Sequence, residues 1–576
     1  MNKHEVARVL REIGLLLELK EDNPFKSRAY YNGARAVELL QEDLQALVSE
    51  KKLEGIKGIG KALSEKISEL VLTGDLAYYR RLKASLPEGV LELLKIPGLG
   101  PKKVKALYEE LDISSLRELE YACKENRLVE LRGFGGKTQS EVMAAIDYLK
   151  KFQDQYYYAE ALGQGLALLE EIKKHPGTKE ASLAGSIRRA REVVKDIDLV
   201  AAGEDTEKLN RFFAGLPQVR EVLESGGTCS LVRLETGIRA KLRVVGREEY
   251  PYALCYFTGS KEHNAALRRL AGGKGYTISE RGLFAGEKKI DCRCEDEIFQ
   301  VLGLSFIPPE LREDNGEIEA ANRGRLPQLV EDGDIKGVFH IHTSYSDGVN
   351  SLEEMVAEAA RLGFQYIGIS DHSQSAYYAL GLKEDRLRKQ QEEIAALREK
   401  YPQIAVFSGI ESDIRADGSL DYPDEVLDSF DFVVASVHSH FKMPEEEMTR
   451  RLVRAMRHPA VTMLGHPTGR LLLAREGYRV NMETILETAR ENGVIIELNA
   501  SPARLDLDWR HLRKARELGV LVAINPDAHR LEELNDVYYG VRVARKGWLE
   551  KKDVFNCLEA QEIRKYLERR KETIIR

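Results

Sequence analysis

The chain has few cysteines and no long apolar run. Its 576 residues include six cysteines. Cys292 and Cys294 lie close together but lack the second pair that a zinc site would need. Scattered cysteines fit a reducing cytoplasm. No stretch approaches the roughly 20 apolar residues of a membrane span, and the N-terminus lacks the apolar core of a signal peptide. The sequence therefore predicts a cytoplasmic protein with no membrane partner.

An excess of basic charge is also absent. The chain carries 87 lysines and arginines against 94 aspartates and glutamates, which gives a formal net charge of -7. Because nucleic acid is bound by basic surfaces, any such surface must be local here. A chain of 576 residues is too long for one hydrophobic core. We therefore expect several domains, and we expect the protein to be a monomer.

Two histidines end an apolar stretch in the C-terminal half. In GVFHIHTSYSD, which begins at Gly337, His340 and His342 are two residues apart. Side chains two apart on a strand share a face, so the two imidazoles point the same way. Such a pair can hold zinc or manganese, or it can be a structural pair with satisfied hydrogen bonds. The two residues alone do not decide between these interpretations.

Acidic and histidine residues recur at the ends of further predicted strands. Helical stretches alternate with these strands, which predicts parallel strands closed or nearly closed into a barrel. Sites in such barrels lie at the C-terminal ends of the strands. One strand, over 494–499, is predicted to carry no ligand. The predicted strands cover 364–370, 404–409, 432–437, 461–465, 494–499 and 520–525, and the helices cover 352–362, 384–400, 445–457, 482–492 and 508–518.

Six motifs in this region resemble those of the PHP family, the polymerase-and-histidinol-phosphatase phosphoesterases. They read HIHTSYSDG, ISDHS, GIES, SVHSH, GHPTGR and NPDAHR, and the resemblance covers Asp334 to about Leu558. Mixed imidazoles and carboxylates suit Mn²⁺ or Zn²⁺. The family pattern implies up to three ions: His340, His342, Glu411 and Asp527 hold the first, Glu411, His438 and His466 the second, and Asp347, His372 and His529 the third.

The same resemblance implies two contacts to the substrate phosphate. His440 and Arg470 stand where the family places cationic side chains, and cations pair with phosphate oxygens. The alternative is that both are ordinary surface residues. The implied reaction is hydrolysis of a phosphate ester, in which close-set ions activate a water and hold the departing oxygen.

Three Gly-x-Gly turns recur near the N-terminus. They lie in LEGIKGIGKALSEKI, LLKIPGLGPKKV and LVELRGFGGKT, and the first two contain Gly58 with Gly60 and Gly98 with Gly100. Glycines let a backbone approach closely, and the N–H groups that open the next helix can cradle a phosphate. The repeats resemble helix-hairpin-helix modules, which hold the DNA backbone without reading its sequence. The alternative is three ordinary tight turns between helices.

A second acidic motif lies in the middle of the chain. The segment ASLAGSIRR is followed by the strand DIDLVAA, so Asp196 and Asp198 share one strand face and can bind a divalent ion. The pattern resembles the nucleotidyltransferase palm of family X DNA polymerases. The later motif YFTGSKEHN also resembles this family, and the whole resemblance spans about residues 1–318. It implies Mg²⁺ or Mn²⁺ at the palm and a dNTP substrate. Triphosphate contacts would come from Gly185, Ser186 and Arg189, the sugar pocket from Tyr256, Phe257 and Gly259, a base contact from Asn264 and a template contact from Arg268.

One position departs from this family. The third metal-binding carboxylate lies on a later strand, and the matching residue here is Lys241 in IRAKLRVV. A shift in register does not restore it, because no aspartate occurs between Asp205 and Asp291. An ammonium at this place removes a ligand and repels the cation. We therefore predict that DNA synthesis is very weak or absent.

The N-terminal region resembles the lyase domain of the same family. Lys26, Tyr30 and Lys66 match residues that bind a DNA 5′-phosphate or cleave an abasic sugar. A lysine with a lowered pKa can attack the sugar aldehyde as a Schiff base. Lys66 follows the first hairpin on a helix, where a solvated lysine is the other explanation. We predict phosphate binding rather than lyase activity.

The whole chain is thus similar to a bacterial family X polymerase joined to a PHP domain. We expect an all-α helix-hairpin-helix N-terminal region, an α+β nucleotidyltransferase palm and thumb, and a C-terminal (β/α)7-like PHP barrel. The predicted domains are 1–80 (lyase-like helix-hairpin-helix), 81–150 (helix-hairpin-helix fingers), 151–250 (palm), 251–318 (thumb), 319–333 (an ordered-to-flexible linker) and 334–576 (PHP).

The predicted function is DNA repair. The C-terminal site would act as a 3′-5′ exonuclease or 3′-end phosphoesterase on gapped, nicked or 3′-ended DNA, while the N-terminal half holds the DNA. Three alternatives stay open. The chain could be a fully active gap-filling polymerase with PHP proofreading, a non-catalytic DNA-binding scaffold, or a small-molecule phosphatase.

Overall fold

The computed structural model forms two compact units, Met1–Gln153 and Asp154–Arg576. It describes residues 1, 3–20, 24–40, 42, 44–86, 88–94, 96, 98–111, 113–124, 128, 131, 133–151 and 154–575. Five residues of the second and third predicted hairpins lie outside the described residues: Lys95, Pro97, Val129, Glu130 and Arg132. Within the described part of the chain, no helix is both long and apolar enough to cross a membrane.

The first unit is helical where the structure describes it. Apolar residues recur at helical spacing in its first helix, and Val6, Leu10 and Ile13 are completely buried. Its helices are α1 (Lys3–Leu19), α2 (Pro24–Glu38), α3 (Leu44–Ser49), α4 (Lys61–Thr73), α5 (Ala77–Ala84), α6 (Glu88–Leu93), α7 (Pro101–Leu111), α8 (Leu116–Lys124) and α9 (Gly136–Lys151). The predicted all-α N-terminal region is confirmed.

The second unit begins with an α+β region around a five-stranded sheet. The strand order of this sheet is β2-β4-β7-β6-β5. Its elements are β1 (Tyr156–Tyr157), α10 (Tyr158–Lys174), β2 (Thr178–Leu183), α11 (Gly185–Arg188), β3 (Val193–Val194), β4 (Asp196–Gly203), α12 (Thr206–Ala214), β5 (Val219–Ser225), β6 (Cys229–Leu234) and β7 (Arg239–Val245). β4 and β7 are parallel neighbours, which sets the acidic strand beside the strand that carries Lys241.

A smaller α/β segment follows this sheet. Three short strands form an antiparallel sheet that packs with the surrounding helices. The elements are α13 (Tyr250–Thr258), α14 (Lys261–Gly273), β8 (Tyr276–Ser279), β9 (Gly282–Ala285), β10 (Lys288–Ile290), α15 (Glu295–Val301) and α16 (Glu317–Asn322).

The C-terminal part is a nearly closed barrel of seven parallel strands. The strands follow each other in sequence order, and His342 N donates to Ala528 O at 2.9 Å where the first strand meets the last. Its elements are β11 (Gly337–Ile341), α17 (Leu352–Arg361), β12 (Tyr366–Ile369), α18 (Glu384–Lys400), β13 (Ala405–Asp413), α19 (Asp424–Leu427), β14 (Phe432–Ser436), α20 (Glu445–Met456), β15 (Met463–Leu464), α21 (Met482–Asn492), β16 (Ile495–Asn499), α22 (Trp509–Leu518), β17 (Val522–Asn525), α23 (Val537–Lys546) and α24 (Ala560–Ile575).

Aromatic side chains fill the interior of this barrel. Phe339 packs against Tyr366, Phe407 and Phe432, with ring centroids 5.0–5.9 Å apart. Gly368 leaves room for them, because a Cβ there would lie 2.2 Å from the Phe339 ring. This packed interior leaves the strand ends as the places for chemistry, and the predicted barrel is confirmed.

The predicted linker over 319–333 is packed rather than open. Its first residues belong to α16, and Leu329 and Val330 are buried among apolar side chains. Val330 N also donates to Leu549 O at 3.0 Å. The flexible part of this prediction is therefore wrong, because the apolar residues between the charged ones find partners in the fold.

Ion pairs join the α+β region to the barrel within the second unit. The Lys546 side chain is completely buried, with Nζ 2.6 Å from Glu313 Oε1, and it donates to Arg189 O at 3.0 Å. Arg545 Nε lies 2.6 Å from Glu310 Oε1. Burial lowers the pKa of Lys546 to about 8, although Glu313 opposes this shift. These contacts attach α23 to the segment that leads into the barrel.

Candidate functional sites

Nine His, Asp and Glu side chains converge at the C-terminal rim of the barrel, and we call them the barrel cluster. Each comes from a strand end or the loop that follows it, because parallel strands present all of their carboxyl ends at one rim. Ligand atoms within each of four overlapping groups lie within 4.8 Å of one another. The groups are His342, Asp347, His372 and His529; His340, His466 and Asp527; His340, His342 and Glu411; and His372, Glu411 and His438.

The grouping resembles the predicted ion sets without matching them fully. Glu411 lies centrally, with Oε1 3.1 Å from His340 Nε2, 3.3 Å from His438 Nε2 and 3.1 Å from His466 Nε2. These distances suit the predicted bridging role of this carboxylate. His466, however, also groups with His340 and Asp527. The assignment of ligands to individual ions therefore stays a prediction.

The sequence analysis missed the side chain that orients two of these histidines. Glu497 is buried on β16, the strand predicted to carry no ligand, and its Oε1 lies 2.6 Å from His340 Nδ1. Its Oε2 accepts a hydrogen bond from His466 N at 2.6 Å. Asn525 Nδ2 donates to Glu497 Oε1 at 2.9 Å and completes its surroundings. The position of Glu497 between Ile496 and Leu498, inside a buried strand, is the sequence feature that could have indicated this role.

A second carboxylate orients His438. Asp413 Oδ1, at the end of β13, lies 2.6 Å from His438 Nδ1. A carboxylate on one ring nitrogen fixes the tautomer and leaves the other nitrogen as a potential metal ligand. Ser375 Oγ donates to Asp413 Oδ2 at 2.7 Å, which ties the loop after β12 to this pair.

Carboxylates raise the pKa of three histidines of the barrel cluster, whereas burial lowers the pKa of His342 to about 3 and also lowers that of His466. Burial opposes the charged form of His340, yet the surrounding carboxylates, Glu497 foremost, raise its pKa well above the usual value. Burial likewise opposes charge on His438, and Glu411 raises its pKa to about 10. The pKa of His529 is raised to about 9 by a carboxylate hydrogen bond that outweighs burial. A potential that retains protons on buried imidazoles also attracts metal cations.

Several buried donor atoms fit a metal centre. Nε2 of His340, both ring nitrogens of His342 and Oε2 of Glu411 are buried and form no hydrogen bond with the part of the chain that the structure describes. Buried polar atoms normally have partners. Convergent nitrogen and carboxylate donors are the ligands of zinc, manganese and iron. The residues present therefore fit the metals that the resemblance implies.

The two predicted phosphate contacts lie in different surroundings. His440 is exposed two residues beyond His438. Arg470 Nη1 donates to Asp508 Oδ2 at 2.5 Å and Arg470 Nε donates to the Arg504 carbonyl, so its guanidinium is already paired, and its predicted contact to phosphate stays a prediction. Another cation reaches the rim, because Arg504 Nε lies 3.4 Å from Asp527 Oδ2. Arg504 is thus a rim cation that the sequence analysis missed.

The predicted nucleotide site is assembled around β4. Gly185, which opens α11, has a φ of 60°, and a Cβ there would lie 2.3 Å from Asp198 Oδ2. Only glycine allows this turn to lie so close to the carboxylate. Ser186 follows it on α11, and Arg189 donates to Thr258 O at 2.7 Å. The structure therefore brings the predicted glycine-serine turn and the acidic strand together.

Cations stand beside both acids of this strand. In the β4–β7 register, Asp196 is the neighbour of Arg239, and Asp198 is the neighbour of Lys241. Arg239 Nε lies 2.7 Å from Asp196 Oδ1. Arg243 follows Lys241 on the same side of β7, because alternate residues share a face. We call these five residues the palm face.

The palm face does not fit the metal centre that the resemblance implies. β7 reads RAKLRVV and offers no carboxylate. An ammonium or guanidinium has no lone pair for a metal ion at ordinary pH. Burial raises the pKa of Asp198, while Arg243 and Lys241 oppose that shift. Asp196 is thus ion-paired with Arg239, and Asp198 lies beside the strand position of Lys241.

The predicted base and sugar contacts lie around the end of α13. Asn264 Nδ2 donates to Tyr256 O at 2.7 Å and to Gly259 O at 3.3 Å. The rings of Tyr256 and Phe257 meet edge to face with centroids 5.2 Å apart. Arg268 lies exposed on α14. Tyr256, Phe257 and Asn264 form a wall next to the palm face, since the Arg243 guanidinium stacks 4.0 Å from the Phe257 ring centroid.

The three glycine turns of the first unit share one geometry. Gly58, Gly98 and Gly133 have φ values of 99°, 87° and 88°. In each turn the residue after this glycine donates to a carbonyl three residues earlier, at 3.0 Å. Gly60 and Gly100 then come directly before α4 and α7. The repeated left-handed glycine is a backbone feature that ordinary residues would not adopt.

The predicted lyase-like residues form a small aromatic and basic cluster in the same unit. Tyr30 and Tyr78 stack with centroids 6.3 Å apart. Lys26 Nζ and Lys66 Nζ lie 5.6 and 5.3 Å from the Tyr78 ring centroid. Burial raises the pKa of Tyr30, whose side chain is buried beside Tyr78, and its contact to a phosphate stays a prediction.

Four family models match the chain. A helix-hairpin-helix domain matches residues 1–76, and a SAM-like helix-hairpin-helix tandem matches residues 90–146. The DNA polymerase beta thumb matches residues 253–313. The PHP domain matches residues 339–501.

Similar proteins cover different parts of the chain. A probable phosphatase of Caldanaerobacter subterraneus subsp. tengcongensis is 27% identical over 252 residues, which are 41% of this chain and 92% of that protein. DNA polymerase lambda of Arabidopsis thaliana is 24% identical over 335 residues, which are 52% of this chain and 60% of that protein. DNA polymerase/3′-5′ exonuclease PolX of Bacillus subtilis (strain 168) is 38% identical over 574 residues, which are 99% of this chain and all of that protein. With helix-hairpin-helix, thumb and PHP parts in this order, the chain belongs to the bacterial family X DNA polymerases that carry a C-terminal PHP domain.

Proposed function

We propose that the barrel cluster hydrolyses phosphate esters at DNA 3′ ends, and that the palm synthesises DNA very weakly or not at all. The observation that carries the first part is the convergence of nine potential ligands at one buried rim. The name of the Bacillus subtilis relative, which includes 3′-5′ exonuclease, supports the same reaction. We also propose that the protein is monomeric and cytoplasmic, that its domains have the predicted bounds, and that DNA is its partner.

The residues of the barrel cluster have separable roles. Mn²⁺ or Zn²⁺ held by these ligands would supply an activated water and a positive charge for the departing oxygen. Glu497 and Asp413 hold the rings of His340 and His438 in the orientation for ligation. Arg504 and the exposed His440 lie where a phosphate oxygen can be paired with a cation.

An exposed aromatic side chain at the rim supports a DNA end as substrate. The loop after β12 is held by hydrogen bonds, including Leu382 N to His372 O at 2.9 Å. At its tip, Tyr377 is 81% exposed and Leu380 is 52% exposed. An unstacked base at a DNA end can stack on such a ring. A small phosphate monoester would make no use of this surface.

The glycine turns and the Lys26–Tyr78–Lys66 cluster support DNA binding by the first unit. The backbone N–H groups that open α4 and α7 can face phosphate oxygens of the DNA backbone. Lys26, Lys66 and Tyr30 would bind a 5′-phosphate at a nick or gap. In this role they would hold the DNA while the barrel acts on a 3′ end.

A working gap-filling polymerase is the second candidate function. The intact acid pair and the wall formed by Tyr256, Phe257 and Asn264 favour it. Lys241 argues against it, because it replaces a metal ligand by a cation. A scaffold without activity and a small-molecule phosphatase are the remaining candidates, and the tests below separate them.

The central experiment follows a labelled primer in gapped DNA with Mn²⁺, with and without dNTPs. We expect the primer to shrink in both cases, and the His342→Ala variant to leave it unchanged while still binding DNA. We expect Lys241→Asp to extend the primer more than the wild type does. Robust extension by the wild type at the rate of Lys241→Asp would contradict the proposed loss of synthesis.

A parallel assay compares substrates. Single-stranded 3′ ends and small phosphate monoesters are incubated with equal enzyme and Mn²⁺, and turnover is compared. We expect the DNA ends to be hydrolysed at far lower substrate concentration. Faster turnover of the monoester would favour a small-molecule phosphatase, and no turnover of either would favour a scaffold.

A further inference from the structure

The palm face carries more positive than negative side chains. Its two acids, Asp196 and Asp198, are accompanied by Arg239, Lys241 and Arg243 on the neighbouring strand. Alternate residues of β7 are half-buried, while those between them are buried, so the three cations share one side. This side is also that of the two acids, because register neighbours in a parallel pair point the same way. Both acids therefore lie beside cations of the neighbouring strand.

Each acid of the palm face lies beside a different cation of β7. Asp196 is paired with Arg239 at 2.7 Å, which joins the outermost members of the face. Asp198 has Lys241 as its register neighbour. An isolated carboxylate pair would repel a polyphosphate unless a divalent ion lay between them. Here the cations remove that repulsion in advance.

Three cations and two acids leave the palm face with one net positive charge. Arg243 lies one step further along β7 than Lys241, beside Val200, which is apolar. Its guanidinium stacks on Phe257, which belongs to the wall of the predicted sugar pocket. A guanidinium at this place faces an anion that enters the pocket, and it attracts that anion without the help of a metal ion. The net positive charge of the palm face and the pocket wall thus meet at one point.

We propose that the palm binds a nucleoside triphosphate without a divalent metal ion, with the cations of β7 taking over the neutralisation of the phosphates. This inference rests on the proposed function, in which Lys241 removes the metal centre for synthesis. The palm would thus bind a nucleotide without transferring it to a primer. The ligand class is a deoxynucleoside triphosphate whose base and sugar lie against Asn264, Tyr256 and Phe257.

The test is isothermal titration of the full-length protein with a non-hydrolysable dATP analogue, in excess EDTA and in Mg²⁺. For the wild type we expect the two dissociation constants to agree within about threefold, because an energy difference below about 0.7 kcal/mol is small beside that of a bridging ion. Lys241→Asp should lose at least about tenfold in affinity in EDTA, because it turns an attraction into a repulsion. Mg²⁺ should restore binding in this variant.

Two further variants make the result specific. Lys179→Asp on β2 changes the charge of the same sheet at an exposed position outside the palm face, and it should bind like the wild type. Lys241→Met keeps the size of the side chain and removes its charge, so it tests the inference if the aspartate variant does not fold. Thermal melting checks that each variant is folded.

The outcomes that overturn the inference are distinct from those that overturn the proposed function. No binding by the wild type in EDTA, or equal loss of affinity in Lys179→Asp and Lys241→Asp, would overturn the inference. Robust primer extension by the wild type would overturn the proposed loss of synthesis instead. Binding in EDTA without primer extension supports both.

Discussion

The barrel cluster and the palm face both collect acidic side chains at strand ends, but they differ in the bases that accompany the acids. In the barrel the partners are imidazoles, such as His340 and His438 beside Glu411. On the palm the partners are Arg239 and Lys241. An imidazole can lose its proton and offer a lone pair to a metal, whereas a guanidinium or an ammonium keeps its charge.

This difference decides which chemistry each region supports. Protons on His340, His438 and His529 offset carboxylate charge in the barrel cluster, and a metal ion can replace those protons. In the proposed function, the fixed cations of the palm take the place of a metal ion. Two regions with similar acids are therefore suited to different tasks, one to metal-assisted hydrolysis and the other to holding an anion.

The largest effect is expected when a fixed cation is placed in the barrel cluster. Asp527→Lys places an ammonium among the ligands, as Lys241 does on the palm. We expect phosphodiesterase activity to fall on the order of 10³-fold, about 4 kcal/mol of transition-state stabilisation, because a ligand is lost and the ion is repelled. Hydrolysis of bis(p-nitrophenyl) phosphate and metal content by mass spectrometry measure the effect. Asp527→Asn is the control for loss of the ligand alone, and full metal content in Asp527→Lys would contradict the explanation.

A smaller effect is expected from the carboxylate behind the ligands. Glu497→Gln keeps the size of the side chain but removes the charge that orients His340. We expect a loss of about 10–100-fold in metal affinity or activity, which is usual for partners of this kind. Titration with Mn²⁺ measures it, and Glu487→Gln on the exposed side of α21 is the matched control. Equal metal affinity in both variants would show that Glu497 has no orienting role.

The rim residue Tyr377 separates DNA recognition from chemistry. Tyr377→Ala should raise the KM for a single-stranded 3′ end by about fivefold or more, because stacking of one base contributes roughly 1–3 kcal/mol. The kcat for bis(p-nitrophenyl) phosphate should stay the same, since this ester is too small to reach the loop. Tyr377→Phe retains the ring and should behave like the wild type. An unchanged KM for DNA in the alanine variant would rule out stacking.

The smallest expected effect is a dependence of stability on pH in the metal-free protein. The pKa values of His438 and His529 are raised to about 10 and about 9. A raised pKa means that the bound proton stabilises the fold at pH values below the usual 6.5 and that this contribution is lost as pH rises through 9 and 10. Chelated protein should therefore melt at lower temperature at pH 9.5 than at pH 7.

The metal-loaded protein provides the reference for this measurement. A bound ion needs neutral imidazoles, so its affinity rises with pH as fewer protons must be displaced. The difference in melting temperature between loaded and chelated protein should therefore widen from pH 7 to pH 9.5. An equal difference in melting temperature between loaded and chelated protein at pH 7 and at pH 9.5 would contradict the raised pKa values.

The local sequence was sufficient for the positions of most elements. The helix predicted over 384–400 is α18, with the same bounds, and the helix over 482–492 is α21. The alternation of strands and helices also implied a parallel barrel, because parallel neighbours need a crossover. The convergence of the nine residues of the barrel cluster follows from this topology, since each stands at the carboxyl end of a strand.

Contacts between distant segments were not predictable in the same way. The strand over 494–499 is predicted to carry no ligand, and nothing near it in the chain indicates that Glu497 contacts His340, 157 positions away. Arg470 was expected at the phosphate, but Asp508, 38 positions further on, binds it. The linker was expected to be partly flexible, although Val330 finds a buried place in the barrel core.

The alternation of elements, the residue types at the strand ends and the place of Lys241 in a β-strand can be read from the chain, because each is a property of nearby residues. Only the tertiary structure decided which side chains meet. It placed Glu497 behind the barrel cluster, gave Arg470 to Asp508, and set Arg239 and Lys241 beside the acids of the palm. The reason is that partners in a sheet or barrel are chosen by strand order and register, and neither is written in the local pattern of a single strand.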